Sequence, residues 1–198
     1  MLFDNDGVLV DTETLFFETT RSAFERLGLD LTAETWGRRY LAAGNSSREI
    51  ALAMGADPMT TDKVLEERNR QFRLVLQQPP PLRPQVRETL AQLRGAVRIA
   101  LVTGCGRDQL ALAHAASGLL DLFEAIITSD DCARSKPDPE PYLNAVQILG
   151  LRAEHCLAVE DSPRGLASAQ AAGIPCVVVP TCLTRDLAFP GALAVIMQ

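Results

Sequence analysis

The 198-residue sequence has few lysines, few histidines and no paired cysteines. Its five cysteines form no C-x-x-C pair, which argues against a disulfide framework or a zinc site and favours a reducing, cytoplasmic setting. No apolar run reaches about 18 residues and no charged-then-apolar leader is present, so we expect neither a membrane span nor a secretory signal. The net charge of −6 provides no basic footprint for nucleic acid or for an anionic membrane.

The composition is that of a globular protein, with 47% apolar and 22% charged residues. From residue 84 onward, short apolar runs alternate with segments of helical periodicity, which predicts a parallel sheet covered on both faces. Residues 12–77 read almost wholly as helix, and the proline-rich stretch 77–84 is the best candidate for a boundary. The sequence therefore predicts an α/β core with a helical insert after its first strand.

Polar residues follow four of the predicted strands, where a parallel sheet binds its ligands. Taken in chain order these residues are Asp4 and Asp6, Thr103 and Gly104, Lys136, and Glu160 and Asp161. Four carboxylates in one site repel each other unless a cation joins them, and oxygen ligands suit Mg²⁺. One carboxylate could then attack phosphorus and a second could transfer the proton, while the lysine and the hydroxyl hold phosphoryl oxygens.

Four motifs in order give the chain a family resemblance. They are "FDNDGVLVDTE", "LVTG", "KPDPEPY" and "VEDSPRGLASAQAAG", and together they span nearly the whole sequence. The chain resembles the haloacid dehalogenase-like hydrolase superfamily, in the branch of beta-phosphoglucomutase-like and phosphoglycolate phosphatase-like proteins. This resemblance implies a Rossmann-like α/β core of residues 1–11 and 84–198, with a small helical cap of residues 12–83 inserted after the first strand.

The resemblance also assigns roles by position. Asp4 is expected to be the nucleophile that forms an aspartyl-phosphate, and Asp6 the general acid and base. Thr103, the Gly104 amide and Lys136 are expected to bind phosphate. The Mg²⁺ site is expected to use Asp4, Asp161, the backbone carbonyl of Asp6, and Glu160 directly or through water. Only two of the 19 basic residues are lysines, and a compact ammonium suits a position between a carboxylate and a phosphate.

Phe16 bears on the choice between phosphatase and phosphomutase. The beta-phosphoglucomutase-like proteins carry a histidine at this position of the first cap helix, so we expect a phosphatase, with a phosphomutase as the alternative. The two histidines, His114 and His155, are expected to be surface or packing residues away from the motifs. A catalytically idle binding protein on the same fold is a third reading, but no motif residue is lost.

The segment "AAGNSSRE" stands where the substrate loop of such a cap is expected, and Ser46 and Glu49 fit a helix capping box. Asn45 and Arg48 are our candidates for contacts with the non-phosphate part of a small phosphorylated metabolite, a sugar phosphate or phosphoglycolate. Arg48 has the alternative of being an exposed residue in the first turn of a helix. We expect a monomer, although the sequence does not fix the oligomeric state.

Overall fold

The computed structural model of the protein describes residues 1–78 and 80–197. These residues form a parallel sheet of six strands in the order β3-β2-β1-β4-β5-β6. The strands are β1 (Leu2–Phe3), β2 (Ala100–Val102), β3 (Ala125–Ile127), β4 (Ala158–Glu160), β5 (Cys176–Val178) and β6 (Ala194–Val195). The short β1 lies in the middle, where Leu2 pairs with Ala100 of β2 and with Ala158 of β4.

Helices cover both faces of the sheet, because each buried strand presents apolar side chains to both sides. On one face Phe3 and Leu101 belong to a cluster with residues of α5 (Val86–Leu93) and α6 (Arg107–Ala113). On the other face Leu2 joins a cluster with α7 (Glu140–Leu149) and α8 (Pro163–Ala171). The predicted Rossmann-like α/β architecture is confirmed.

The chain between β1 and α5 is helical. It contains α1 (Thr12–Arg26), α2 (Ala33–Trp36), α3 (Ser47–Ala53) and α4 (Pro58–Leu76), and a π-helical stretch (Gly37–Ala42) continues α2. Phe24, Trp36 and Ile50 are fully buried in a core of its own. The capping box predicted at the start of α3 is present, with Ser46 and Glu49 capping each other's backbone amides. We call residues 12–76 the helical segment.

The two connections of the helical segment to the sheet run side by side. Val10 and Leu82 form an antiparallel bridge, and the Arg83 amide donates to the Leu9 carbonyl at 2.9 Å. The proline-rich boundary predicted at 77–84 includes Pro79, which lies outside the described residues. Within the described ranges, every helix is too short or too polar to span a bilayer.

Candidate active site

The carboxyl ends of β1, β2 and β4 meet around the ammonium group of Lys136. Lys136 Nζ donates to Asp4 Oδ1 at 2.7 Å, to Glu160 Oε1 at 2.6 Å and to the Val102 carbonyl at 2.8 Å. Glu160 Oε1 also accepts a hydrogen bond of 2.6 Å from the Tyr142 hydroxyl. Lys136, Asp4 and Glu160 are all buried. The structure thus brings together residues that the sequence separates by more than 150 positions.

The pKa values of Asp4 and Lys136 are both raised in this cluster, which favours a neutral carboxyl group and a charged ammonium group. Burial raises the pKa of Asp4 to about 8, although the neighbouring Lys136 ammonium works against that rise. The pKa of Lys136 lies above its ordinary value despite burial, because Asp4 and Glu160 favour the ammonium form. The lysine therefore stays charged, while burial and the neighbouring acids oppose ionisation of Asp4.

Asp161 adds a further acid that lacks such a partner. Burial raises the pKa of its carboxyl well above the ordinary range, and the Asp4 and Glu160 carboxylates add to that shift. Its Oδ2 atom has no hydrogen-bond partner among residues 1–78 and 80–197. A buried polar atom left without a partner is unfavourable, so this oxygen marks a position where a ligand would be stabilising.

The acids of the cluster fit a divalent cation. One oxygen from each of Asp4, Glu160 and Asp161 lies within 4.8 Å of the others, and hard carboxylate ligands are those that Mg²⁺ prefers. Two glycines leave room for these carboxylates. A Cβ atom on Gly7 would lie 2.1 Å from Asp161 Oδ2, and one on Gly165 would lie 2.0 Å from Glu160 Oε2.

The side chain of Asp6 turns toward hydroxyl and amide donors. The Thr103 hydroxyl donates to Asp6 Oδ2 at 3.0 Å, the Thr12 hydroxyl donates to Oδ1, and Asn5 Nδ2 donates to Oδ1 at 3.2 Å. The predicted phosphate-binding residues are thus divided: Gly104 and Lys136 line the cavity, while the buried Thr103 hydroxyl contacts Asp6.

A cavity of about 330 Å³ lies between this edge of the sheet and the helical segment. Its volume is near the lower end of the usual range for small-molecule sites. Asn45 lines the cavity, as expected of a substrate-contacting residue. Arg48 does not reach it: its guanidinium turns outward to Asp62, with Nε 2.6 Å from Oδ1, and both side chains are about half exposed. The structure therefore favours the alternative interpretation of Arg48 as an exposed helix residue.

The cavity wall also includes charged residues to which the sequence analysis assigned no role. Trp36 Nε1 donates to Glu13 Oε1 at 2.9 Å, and burial raises the pKa of Glu13 to about 7. On the sheet side, Arg164 places its guanidinium carbon 4.3 Å from the ring centroid of Tyr40. Glu13 lies in the "DTE" of the first motif and Arg164 in the "SPRG" of the fourth, so the sequence could have indicated both residues as candidates for the site.

Phe16 makes the helical side of the cavity aromatic. Its ring centroid lies 5.0 Å from that of Phe72, 5.8 Å from that of Trp36 and 5.9 Å from that of Tyr40. No titratable group stands at this position, where the phosphomutase-like relatives are expected to carry a histidine.

The expectation that His114 lies away from the motifs is wrong. The imidazole is buried, and its Nε2 atom lies 2.7 Å from Oδ1 of Asn5, the residue between the two motif aspartates. The error arises because the C-terminal end of α6 lies against the first motif, a contact between residues 109 positions apart. His155 is exposed, as expected.

Comparisons with known proteins agree with this geometry. A family profile described as haloacid dehalogenase-like hydrolase matches residues 1–179. The plasmid-encoded protein CbbY of Cupriavidus necator is 35% identical, covering 99% of this chain and 84% of its own length. The phosphorylated carbohydrates phosphatase of Thermotoga maritima is 33% identical, covering 88% of this chain and 81% of its own length.

Among solved structures, a CbbY variant from Rhodobacter sphaeroides in complex with xylulose-1,5-bisphosphate aligns with a TM-score of 0.80 at 26% identity. The alignment covers 98% of this chain and 92% of the CbbY chain. Profile, relatives and fold agree over nearly the whole length, and the chain belongs to the haloacid dehalogenase-like hydrolase family.

Proposed function

We propose that the protein is a Mg²⁺-dependent phosphatase that hydrolyses a small phosphorylated metabolite through an aspartyl-phosphate on Asp4. One observation carries the proposal: buried Lys136 joins the carboxylates of Asp4 and Glu160 directly beside Asp161, whose Oδ2 is unpartnered within the described part of the chain. A purely structural ion pair would not need a third buried acid with an unsatisfied oxygen.

The cation would be held by Asp4, Glu160 and Asp161, whose oxygens already converge, together with the backbone carbonyl of Asp6. When bound, a divalent cation neutralises the charge of the carboxylates and of the phosphoryl oxygens they face. Lys136 and the Gly104 amide would orient the phosphoryl group, because both line the cavity next to Asp4.

In the first step a carboxylate oxygen of Asp4 bonds to phosphorus, the ester P–O bond breaks, and Asp6 gives its proton to the leaving oxygen. In the second step Asp6 takes a proton from water while the water oxygen bonds to phosphorus. The bond between phosphorus and Asp4 then breaks, which releases phosphate and restores both carboxyl groups. The hydroxyl groups of Thr12 and Thr103 hold the Asp6 carboxyl in place for both transfers.

The cavity supports the proposed substrate class. This class is a sugar phosphate or a compound like phosphoglycolate, since the cavity is small and polar side chains such as Asn45 and Asn69 line its helical side. We propose that residues 12–83 act as a cap that closes over a core of residues 1–11 and 84–198 and excludes water. The adjacent connections at Val10 and Leu82 would let the cap move as a unit.

The proposal includes action as a monomer in the cytoplasm. It is consistent with five cysteines, all in the described ranges, that form no disulfide. The similarity to a phosphorylated carbohydrates phosphatase supports the substrate class.

A panel of phosphorylated metabolites, assayed for free phosphate with and without Mg²⁺, tests the proposal. Release that requires Mg²⁺ and is lost in Asp4→Asn supports it, while the exposed substitution Asp186→Asn should leave release unchanged. Conversion of beta-glucose 1-phosphate to glucose 6-phosphate without free phosphate would instead make the protein a phosphomutase, despite Phe16. No turnover of any compound and no Mg²⁺ binding would favour the idle binding protein.

A further inference from the structure

A chain of hydrogen bonds leads from Asp6 into the interior of the protein. Asn5 Nδ2 donates to Asp6 Oδ1 at 3.2 Å, and Asn5 Oδ1 lies 2.7 Å from His114 Nε2. The other ring nitrogen, His114 Nδ1, lies 2.9 Å from the Ser117 hydroxyl. Asn5 is fully buried and His114 is 4% exposed, so bulk water does not compete for these contacts.

The chemistry of the end groups fixes the direction of the chain. In the structure the amide nitrogen of Asn5 faces Asp6 Oδ1 and the amide oxygen faces His114 Nε2. Once Asp6 has given its proton to the leaving oxygen, its carboxylate only accepts hydrogen bonds, which favours the same orientation. The Nε2 atom of His114 must therefore carry a proton. Burial lowers the pKa of His114, although the Asp6 carboxylate opposes that shift, so the imidazole is neutral. With the proton on Nε2, Nδ1 is the acceptor for the Ser117 hydroxyl at 2.9 Å, and the same hydroxyl lies 3.2 Å from the His114 carbonyl oxygen.

The ring selects one of two orientations of the Asn5 amide. Rotation of the amide by half a turn would keep its shape but would point its oxygen at the Asp6 carboxylate, where two acceptors repel. The donor Nε2–H penalises that orientation at the other end, because it would then face an amide NH₂ group. The two effects together hold an NH donor against Asp6 Oδ1.

Neither Asn5 nor His114 has a role in the proposed mechanism so far, and packing alone does not require polar groups at these buried positions. A buried polar pair is costly unless every atom is satisfied, and here each atom of the chain meets a complementary partner. Asn5 connects to no other catalytic carboxylate in this chain of contacts, so its effect is directed at Asp6.

We propose that His114 is a positioning residue that acts through Asn5 to hold the Asp6 carboxyl in the orientation required for proton transfer. The inference rests on the proposed function in one respect, the role of Asp6 as acid and base. It adds two residues to the machinery: one between the motif aspartates, and one at the C-terminal end of α6.

Four variants test the inference. His114→Leu and Asn5→Leu each remove the connection, and both should lower kcat about tenfold with KM within about twofold of the wild-type value. His114→Gln keeps a nitrogen donor near the place of Nε2, so it should recover most of kcat. His155→Leu removes the exposed histidine and should change neither constant.

The double variant separates positioning from general damage to the fold. If His114 acts through Asn5, adding His114→Leu to Asn5→Leu should lower kcat no further. Additive losses, a kcat of His114→Leu within twofold of wild type, or no recovery in His114→Gln would each overturn the inference. Thermal unfolding of each variant should confirm that the folded protein is compared.

A readout that does not depend on turnover distinguishes this inference from the proposed function. The carboxyl ¹³C resonance of Asp6, assigned by its loss in Asp6→Asn, should shift in His114→Leu and return toward the wild-type position in His114→Gln. An unshifted resonance would overturn the inference even in an active enzyme. A wild-type protein that releases no phosphate while the resonance shifts as expected would overturn the proposed function and leave the positioning contact established.

Discussion

Replacing Asp161 by asparagine should make the metal-free protein more stable. The carboxyl is 3% exposed, burial raises its pKa well above the ordinary range, and Oδ2 has no partner in the part of the chain that the structure describes. An amide has nearly the same shape and carries no charge. The amide still places a polar atom there, but it removes the cost of burying an ionisable group away from its ordinary pKa, which is about 1.4 kcal/mol per pKa unit. We therefore expect Asp161→Asn to raise the free energy of unfolding by about 1–3 kcal/mol near neutral pH.

The size of this gain should depend on pH in a direction that follows from the shifted pKa. The carboxyl of Asp161 has an ordinary pKa of about 3.9 in the unfolded chain and a higher one in the folded protein. The wild type therefore keeps its full stability below about pH 4 and loses it as the pH rises toward the folded pKa. The advantage of Asp161→Asn should be largest above neutrality and should disappear in acid.

Magnesium should reverse the order of the two proteins. A ligand at about 100 times its dissociation constant stabilises the folded state by about 2.7 kcal/mol, and the variant should lose most of that term. The assay is thermal unfolding of both proteins in excess chelator and in excess Mg²⁺, where 1 kcal/mol corresponds to about 2–4 °C in a domain of this size. The exposed Asp186→Asn serves as the matched control. A variant that is less stable without metal, or that Mg²⁺ stabilises as much as the wild type, would refute the reasoning.

Three further predictions concern other parts of the site. Lys136→Met should abolish phosphate release and lower the free energy of unfolding by about 3–5 kcal/mol, because it leaves buried carboxylates without their cation. Glu13 should lose its proton near pH 7, and the fluorescence of Trp36, the only tryptophan of the sequence, should change over the same pH range. The stability that protonated Glu13 contributes to the folded state is lost as the pH rises through that value. Asn45→Ala should raise KM severalfold, whereas Arg48→Ala should leave it within about twofold.

Each of these predictions has its own control. The other lysine, exposed Lys63, serves for Lys136, and Lys63→Met should change neither activity nor stability. In Glu13→Gln the fluorescence change near pH 7 should vanish, and a titration that persists there would assign it to another group. An Arg48→Ala enzyme with a KM raised more than that of Asn45→Ala would show that the outward position of Arg48 is not the one used with substrate.

The sequence predicted those features that depend on local pattern. Short apolar runs between helices were sufficient to place β1 to β5, because a strand buried on both faces must be apolar along its whole length. The last strand, β6, was placed by the same apolar pattern, although both of its residues are exposed. The rule that ligands bind at the carboxyl ends of parallel strands then predicted that Asp4, Lys136 and Glu160 would meet, and the structure places them within hydrogen-bonding distance.

Features that depend on side-chain direction and on contacts between distant elements could not be derived in this way. Arg48 has the right residue type and stands in the right loop, but Asp62 on the neighbouring helix draws it outward. His114 lies about 110 positions from the first motif, and its contact with Asn5 depends on how α6 packs against the sheet. Glu13 is buried by Trp36 and the rest of the helical segment, which no local pattern describes.

The central place of β1 in the sheet has a consequence for synthesis on the ribosome. Leu2 and Phe3 are made before the other strands of the sheet, yet their partners in β4 are made more than 150 residues later. Until then β1 can pair only with β2, and Glu160 and Asp161 are missing from beside Asp4 and Lys136. The pairings that complete the active site are thus contacts of long range in sequence, which slow folding. A truncated chain that ends before β4 should lack the site altogether, so binding at this site reports that synthesis has passed residue 161.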